Sequence, residues 1–411
     1  MMIRRLAAIC VLFSLMASPA AANEATDSLH DMLSRVPADA IHGDGLVSYV
    51  DYRAVESARP GAAQPRSTEE WMALQEAGEA PFDLWLTDFV ALASGSSRLR
   101  QAFVAGGEDW PSLLGFDFFD VDRELHFGNP PDDGLVLAGA FEPDAIASAH
   151  TARGFTSADG GNGVLLCGAG GCDEGHALNL DLREPADPFG GQLGQQQPLL
   201  VSGETLLSSA SIDTVEAMGA ASDSTGASLA DDPAVRTTLG AIPDDALLRQ
   251  LTLVPPQLLV PYVGSLVDDA VTAEELLLKL ERFAPEPMPQ YRLAMLADTA
   301  TPDEQITYIV LAYDTEADAR SAAAALPGRI EALDSIDERR PLRELFKDQG
   351  VTDIVAVVHV APDGSGVATV LEMHAPLPSS DLIQDPAARS SLPYRLIVGM
   401  VLSGDVLWLA A

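Results

Sequence analysis

The fold of this chain is indicated most clearly by residues 137–145, Leu137-Ala138-Gly139-Ala140-Phe141-Glu142-Pro143-Asp144-Ala145. An apolar run typical of a strand leads directly into Glu142 and Asp144, and carboxylates favour the positive end of a helix. The same order recurs in the second half, in Val310-Leu311-Ala312-Tyr313-Asp314-Thr315-Glu316-Ala317-Asp318-Ala319. These two stretches predict a repeated unit in which a strand is followed at once by a helix.

A second pair of similar segments lies upstream of the first pair in each half. Val36-Pro37-Ala38-Asp39-Ala40 resembles Ile242-Pro243-Asp244-Asp245-Ala246, and each precedes a segment with the pattern of a strand. The two kinds of segment occur in the same order in both halves of the chain. We therefore predict an α+β fold of two similar lobes, each an antiparallel sheet with helices packed on one face. Chance similarity between such short segments is the alternative.

Turn and capping residues predict several further elements. Ser67-x-x-Glu70 is a capping box that opens a helix. Two hairpins are expected, one turning at residues 301–303 and one at Pro362-Asp363-Gly364. The apolar residues of 396–401 and 406–409 have the pattern of closing strands. Five apolar side chains at helical spacing predict a buried helix face, with a ligand groove as the alternative: Phe82, Trp85, Leu86, Phe89 and Val90.

The start of the chain has the composition of a secretory signal. Two arginines precede an apolar run from Leu6 to Ala17, and alanines at 20–22 resemble a cleavage site. The run is shorter than the ~20 residues that span a bilayer. We predict cleavage between Ala22 and Asn23, a periplasmic or secreted protein and no stable membrane insertion, with an uncleaved anchor as the alternative. The predicted division is a signal peptide (1–22), an N-terminal lobe (23–225) and a C-terminal lobe (226–411).

The charge of the chain limits its partners. It has 61 acidic residues against 24 arginines and lysines, a formal net charge of −37. Nucleic acid is an unfavourable partner because its affinity depends on cationic contacts to phosphate, and anionic membrane surfaces are unfavourable for the same reason. Solubility explains the acidity most simply. Capture of a cation or a basic partner is the alternative.

The two cysteines that follow the predicted signal lie in Cys167-Gly-Ala-Gly-Gly-Cys172. In an oxidising compartment, cysteines this close in a glycine-rich turn are expected to form a disulfide. A metal site that also uses Asp173 and His176 is an alternative, although structural zinc sites normally have tighter ligand spacing. A redox-active pair is disfavoured because the Cys-x-x-Cys spacing is missing.

An acidic cluster is the best candidate for chemistry elsewhere in the chain, and it consists of Asp117, Asp120, Asp122 and Glu124. If residues 117–126 are helical, three of these carboxylates share one side of the helix. The main interpretation is a capped amphipathic helix with its acidic side in water. Calcium binding is an alternative because calcium prefers clustered oxygens, and paired carboxylates of a hydrolase are another. The acidic residues near the turn at 301–303 are a weaker candidate.

The chain resembles a group of uncharacterised bacterial exported proteins in which a Pro-x-Asp-Ala step precedes a strand. The matching residues are Pro37–Ala40 and Pro243–Ala246, with Ser228-Leu229-Ala230-Asp231 as the helix before the second step. Residues 115–122 fit the group as well. The resemblance implies an α+β fold and a place outside the cytoplasm, and it implies no activity.

Several motifs of catalysis are missing from the sequence. It has no phosphate-binding Gly-x-x-x-x-Gly-Lys loop, no His-Glu-x-x-His and no Gly-x-Ser-x-Gly. We therefore predict a non-catalytic binding or interaction protein without a cofactor, whose partner is an unidentified protein or small molecule. A carboxylate-dependent extracytoplasmic hydrolase and a calcium-stabilised protein are the alternatives.

Overall fold

Strands of alternating and continuous apolar residues pair into one antiparallel sheet. A computed structural model of the chain describes residues 20–41, 45–58, 64–78, 82, 85, 86, 88, 89, 92, 98–130, 132–259, 287–301, 303–377 and 391–410.

The sheet has twelve strands in the order β11-β12-β10-β9-β8-β1-β2-β3-β7-β6-β5-β4. Neighbouring strands are antiparallel throughout. Their bounds are β1 Leu46–Asp51, β2 Val121–Gly128, β3 Gly134–Gly139, β4 Thr156–Asp159, β5 Val164–Cys167, β6 Leu199–Val201, β7 Thr205–Ser209, β8 Leu247–Val254, β9 Leu293–Ala300, β10 Glu304–Tyr313, β11 Asp353–Val360 and β12 Val367–Pro376.

The helices lie between these strands along the chain. Their bounds are α1 Ala20–Leu33, α2 Tyr52–Ala58, α3 Thr68–Ala77, α4 Arg98–Gly106, α5 Trp110–Leu113, α6 Pro143–Ala152, α7 Ile212–Ser222, α8 Pro233–Leu239, α9 Glu316–Ala332, α10 Leu342–Asp348 and α11 Leu392–Ser403. Short 3-10 turns connect several of them, among them Phe118–Asp120 and Leu180–Leu182.

The α+β class that the sequence predicts is confirmed, and the two halves meet within the sheet. β1 pairs with β8, so that Val47 lies opposite Leu253. In the first half the strands follow the order β1-β2-β3-β7-β6-β5-β4, and in the second the order β8-β9-β10-β12-β11, so the first half has two additional strands at its edge. Each half therefore has three consecutive strands and a later hairpin beside the third. The boundary between residues 225 and 226 stays a prediction, because the sheet is continuous across it.

Helices cover both faces of the sheet, so the prediction that they pack on one face is wrong. Along β10, Val310 belongs to a core shared with α1, α7 and α8. Its neighbour Leu311 belongs to a core under α9, α10 and α11. Successive side chains of a strand point to opposite faces. Because the strands at the centre of the sheet are apolar on both faces, each face needs a cover of its own.

Local signals in the sequence identify several elements correctly. Ser67 caps α3 by accepting a hydrogen bond from the backbone N–H of Glu70 at 3.1 Å. Both expected hairpins form, β9 with β10 and β11 with β12. In the second hairpin Gly364 has a φ of 74°, a backbone angle that glycine adopts at little cost. The turn residues therefore determine both hairpins.

Three expectations from the sequence are wrong. Residues 396–401 form part of α11 and residues 407–409 form a 3-10 turn, not strands. A short apolar run has the same pattern in a buried helix and a buried strand, and Pro393 in the first turn favours the helix. Residues 121–128 form β2, so 117–126 is not a helix.

The aromatic residues at helical spacing form a core face, as the sequence predicts. Phe82, Trp85 and Phe89 are each 1–2% exposed. The rings of Trp85 and Phe89 stack with centroids 4.7 Å apart, and Trp71 of α3 meets Trp85 edge-on at 5.6 Å. Val90 lies outside the described residues. The alternative of a ligand groove along this face does not fit such burial.

The predicted signal peptide lies mostly outside the described residues, and the Ala22–Asn23 junction lies within the first turn of α1. Export therefore stays a prediction. Within the described part of the chain, no helix has the length and apolar character needed to cross a membrane.

Candidate functional site

A cavity of about 520 Å³ lies beside α4, close to the loop before β3 and the long irregular segment between β5 and β6. We call it the glutamine cavity. Its walls combine amide, ionic and apolar side chains, and the residues that line it are Arg98, Gln101, Ala102, Pro130, Asp133, His176, Leu178, Asp187, Pro188, Gly190, Gln192, Leu193, Gln195, Gln197 and Ala210.

Asp133 is one of two buried carboxylates in the cavity wall. It is 2% exposed, it accepts a hydrogen bond from Arg98 of α4, and the Nε2 atom of His126 lies 3.1 Å from its Oδ2. Burial alone would raise the pKa of the Asp133 carboxyl. The His126 hydrogen bond and the Arg98 charge outweigh that effect, so the pKa lies below its ordinary value. Asp133 is therefore a charged group with its own counterion.

Asp187 is the second buried carboxylate, and it is arranged in the same way. It is 2% exposed and accepts a hydrogen bond from the guanidinium of Arg153. Its other oxygen accepts a 2.8 Å hydrogen bond from the backbone N–H of Phe189. Because an arginine neutralises each of these carboxylates, neither leaves a free negative charge facing the cavity. Such a wall suits a ligand without strong net charge.

Four glutamines give the cavity its hydrogen-bonding groups. Gln195 donates from Nε2 to the backbone carbonyl of His176 at 3.1 Å, and Gln197 donates to the Gln195 amide oxygen at 3.3 Å. These two hydrogen bonds connect residues within the segment between β5 and β6 and stabilise its conformation. The side chains of Gln101 and Gln192 belong to exposed residues at the cavity. A glutamine amide carries two N–H donors and one acceptor oxygen, and those of Gln195 and Gln197 are partly used by these internal hydrogen bonds.

Exposed leucines line the glutamine cavity and lie next to its lining residues along the chain. Of nine exposed large hydrophobic residues in the described part of the chain, four lie between residues 178 and 193. Leu178 is 66% and Leu193 is 50% exposed, and both line the cavity. Leu180 and Leu182 lie in the adjoining 3-10 turn. Clustered exposed apolar side chains mark surfaces that bind other molecules.

The Cys167–Cys172 disulfide that the sequence predicts is present. It closes the loop that follows β5, where Gly171 has a φ of 96°. The backbone N–H of Ala169 within this loop donates to the side chain of Gln196 at 3.1 Å. The bridge thus anchors the start of the segment that carries the exposed leucines. Because the two sulfurs are bonded to each other, they do not offer the thiolates that a metal site with His176 requires.

The acidic residues that the sequence singles out lie apart from the glutamine cavity. Asp117 accepts hydrogen bonds from the backbone N–H and the hydroxyl of Thr68, both at 2.8 Å. Asp120 accepts from the Asp117 backbone N–H at 2.8 Å, which completes a capping box around the 3-10 turn. Burial raises the pKa of the Asp120 carboxyl. The structure thus brings Asp117 and Asp120 together in a capping role.

The other two members of that cluster have different partners. Asp122 binds the guanidinium of Arg53, and Glu124 accepts a 2.5 Å hydrogen bond from the hydroxyl of Tyr52. Glu124 is buried within the sheet at 4% exposure. Among the described residues, no group of three or more potential ligand side chains is arranged to hold a metal ion.

A second polar cluster lies buried under α11. Arg249 donates from Nη2 to Asp298 at 2.7 Å, and the hydroxyl of Ser391 donates to the other oxygen of Asp298 at 2.5 Å. The Ser391 backbone N–H donates to Gln305 at 2.7 Å. A β-bulge between Leu248 and Gln250 allows Arg249 to reach this position. The cluster is at most 4% exposed, and it fixes the start of α11 on the sheet.

Sequence reasoning named His176, as part of an alternative metal site, but it did not identify the glutamine cavity. Arg98 lies on α4, Asp133 lies before β3, and His176 and Asp187 lie in the segment between β5 and β6, with no motif that links these three places. The sequence offers one local indication of a binding surface there. Several leucines lie in the irregular, glycine-rich segment between β5 and β6, and no helix or strand pattern predicts that they are buried. The fold alone brings the ion pairs together.

Comparison with known proteins gives little further information. No protein-family model and no curated protein matches the chain. One solved structure that resembles it is described as "Structure of crystal form III of TP0453". The two chains are 10% identical, the alignment covers 86% of this chain and 98% of the other, and the TM-score is 0.32. A similarity this weak supports no conclusion about fold or function.

Proposed function

We propose that this protein is a non-catalytic, exported binding protein that holds a small amphipathic ligand in the glutamine cavity. The observation that supports this proposal is the cavity itself, about 520 Å³ with the exposed Leu178 and Leu193 in its lining. Ligand sites of this size are typically apolar, with a few fixed polar groups that orient the ligand. Here the ion pairs of Asp133 and Asp187 stabilise the wall that carries those groups.

The chemistry of the lining favours a ligand with little net charge. Both buried carboxylates are paired with arginines, and the remaining polar groups are mainly amides. Amides complement other amides and hydroxyls because they both donate and accept hydrogen bonds. Leu178 and Leu193 would cover an apolar part of the same ligand. A short uncharged peptide with apolar side chains fits these requirements.

A binding role is also consistent with the residue types around the cavity. Among the described residues that line it, none is a serine, threonine or cysteine that could act as a nucleophile beside His176. Catalysis by a hydroxyl or thiol nucleophile requires such a side chain within reach of a base, and the two carboxylates in the lining, which could serve instead, are each held by an arginine. The lining therefore supports recognition of a ligand rather than its covalent conversion.

The proposal is tested by titrating the full-length protein with Nile red and, by native mass spectrometry, with a mixture of short uncharged peptides. We expect saturable binding of both probes. The double variant Leu178→Asp, Leu193→Asp should weaken binding by about tenfold or more, which corresponds to about 1.4 kcal/mol of lost contact.

Leu402→Asp is the matched control, because Leu402 is another leucine of similar exposure, 62%, and it lies on α11. This variant should bind both probes as the unmodified protein does. Failure of the unmodified protein to bind peptide, or equal binding by the double variant, would refute the proposal.

A further inference from the structure

The two edges of the sheet differ sharply in their protection. β4 is four residues long, Thr156-Ser-Ala-Asp159, and all four are exposed. β11 is eight residues long, Asp353-Ile-Val-Ala-Val-Val-His-Val360, and contains one isoleucine and four valines. Short polar edge strands resist pairing with other chains, whereas long apolar ones promote it. The β4 edge is therefore protected by its sequence, and the β11 edge is not.

β11 is also regular along its whole length. It pairs with β12 at all eight positions, from Asp353 opposite His374 to Val360 opposite Val367, without a bulge. Within the described residues, no strand pairs with its outer edge. It contains no lysine and no proline, and its one carboxylate is its first residue. Lysine, proline and a bulge, three of the devices that block an edge strand, are thus missing from β11.

A groove runs beside this edge, between β11 and α9. It consists of two separate hollows: one of about 910 Å³ at the Asp353 end of the strand, which α10 and the loop after it also line, and one of about 510 Å³ at the Val360 end. Much of its lining is small or apolar, including Ala323, Ala324 and Pro327 of α9. On the strand, Val357 is 41% and Val360 is 56% exposed. The groove leaves room for a further strand and the side chains that it would bring.

The charge of this surface differs from that of the whole protein. The groove is lined by three cations, Arg320, Arg343 and Lys347, and by four carboxylates, Glu316, Glu331, Glu344 and Asp353. The protein as a whole carries −37. Two copies that approach elsewhere would in general repel each other. At this edge the charges nearly balance, so a second copy can approach here with little electrostatic cost.

We propose that β11 pairs antiparallel with β11 of a second copy, forming a two-fold symmetric dimer with one continuous sheet. An antiparallel edge is complementary to itself, which is the requirement for a two-fold interface. The unpaired backbone N–H and C=O groups of both edges then find partners. Val357 and Val360 of both copies lose their exposure to water.

The direction of α9 supports this arrangement. Its first residues, Glu316 and Arg320, border the end of the groove near Val360, while Glu331 borders the end near Asp353. In an antiparallel pair, the Val360 end of one copy meets the Asp353 end of the other. The Glu316–Arg320 ion pair of each copy therefore approaches the Glu331–Arg343 ion pair of its partner, and because each pair is neutral the approach brings no net like charge together. This interface is independent of the glutamine cavity, because β11 lies at the far end of the sheet from β4, β5 and β6.

Sedimentation equilibrium of the full-length protein over a range of micromolar concentrations tests the dimer. We expect a monomer–dimer equilibrium, and the double variant Val357→Lys, Val360→Lys should weaken it by tenfold or more, because charges on an edge strand oppose pairing. Ala158→Lys in β4 is the matched control on the opposite edge, and it should leave the equilibrium unchanged.

Hydrogen exchange of the unmodified protein provides a second measurement that requires no variant. The backbone amides of β11 should become more protected as the concentration rises, whereas those of β4 should not. A monomer at every concentration would overturn the proposal, as would a dimer that persists in the double lysine variant or that leaves β11 exchange unchanged.

Discussion

Acid should destabilise this protein through His150, which is fully buried in α6. Its Nδ1 atom lies 2.9 Å from the backbone carbonyl of Ile146, and its ring meets that of Phe155 edge-on at 5.0 Å. Burial lowers the pKa of His150 from 6.5 to about 4, and it outweighs the nearby carboxylate of Asp187, which acts in the opposite direction. The folded protein therefore holds this imidazole neutral at a pH where the unfolded chain protonates it.

The size of the effect follows from the two pKa values. Because the folded pKa is the lower one, the stability that depends on neutral His150 is fully present above pH 6.5 and is lost as the pH falls towards 4. At 1.36 kcal/mol for each pKa unit, the loss reaches about 3 kcal/mol near pH 4. His150→Phe keeps a ring at this position but does not titrate, so it should not show this loss.

Urea unfolding at several pH values between about 7.5 and 4 measures the difference between the two proteins. The free energy of unfolding of the unmodified protein should fall by about 3 kcal/mol more than that of His150→Phe over this range. His176→Gln is the matched control for the removal of an imidazole, because His176 is an exposed histidine of the same chain.

Parallel stability curves for the unmodified protein and His150→Phe would refute this reasoning. A direct check is an NMR titration of the His150 ring, which should give a pKa of about 4. A value near the ordinary 6.5 would show that the ring is not excluded from water in the folded state.

Two further predictions concern groups with structural roles. Cys172→Ser should lower the free energy of unfolding by only about 2 kcal/mol, because the disulfide with Cys167 closes a short loop. Loss of all cooperative unfolding in urea would contradict this prediction. Asp298→Leu should cost about 3–5 kcal/mol, since it leaves Arg249 as an unpaired buried charge. The double variant Arg249→Met, Asp298→Leu should regain most of the free energy of unfolding that Asp298→Leu loses, again measured by urea unfolding. If it regains none, the unpaired charge of Arg249 is not the cause of the loss.

Elements whose signals are local could be predicted from the sequence. The turn at Pro362-Asp363-Gly364 determines the pairing of β11 with β12, and the capping residue Ser67 determines where α3 begins. The Cys167–Cys172 bridge was likewise predictable, because both partners lie within one small loop. In each case the residues that decide the structure lie within a few positions of one another.

Features that depend on distant contacts could not be predicted in this way. The apolar run at residues 396–401 fits a strand or a helix equally well, and packing against the sheet selects the helix. Glu124 appeared to belong to an acidic helix, yet its strand places it under Tyr52. The ion pair of Arg98 with Asp133 joins α4 to the loop before β3, and no sequence motif connects these two parts of the chain. The glutamine cavity was missed for this reason.

The pairing of β1 with β8 has a consequence for synthesis of the chain. Val47 leaves the ribosome about two hundred residues before its partner Leu253, a delay of about 10–40 s at ordinary rates of translation. Throughout that interval one side of the first strand has no hydrogen-bonding neighbour from β8. Any factor that accompanies the nascent polypeptide must shield a strand that becomes central only when translation is well advanced.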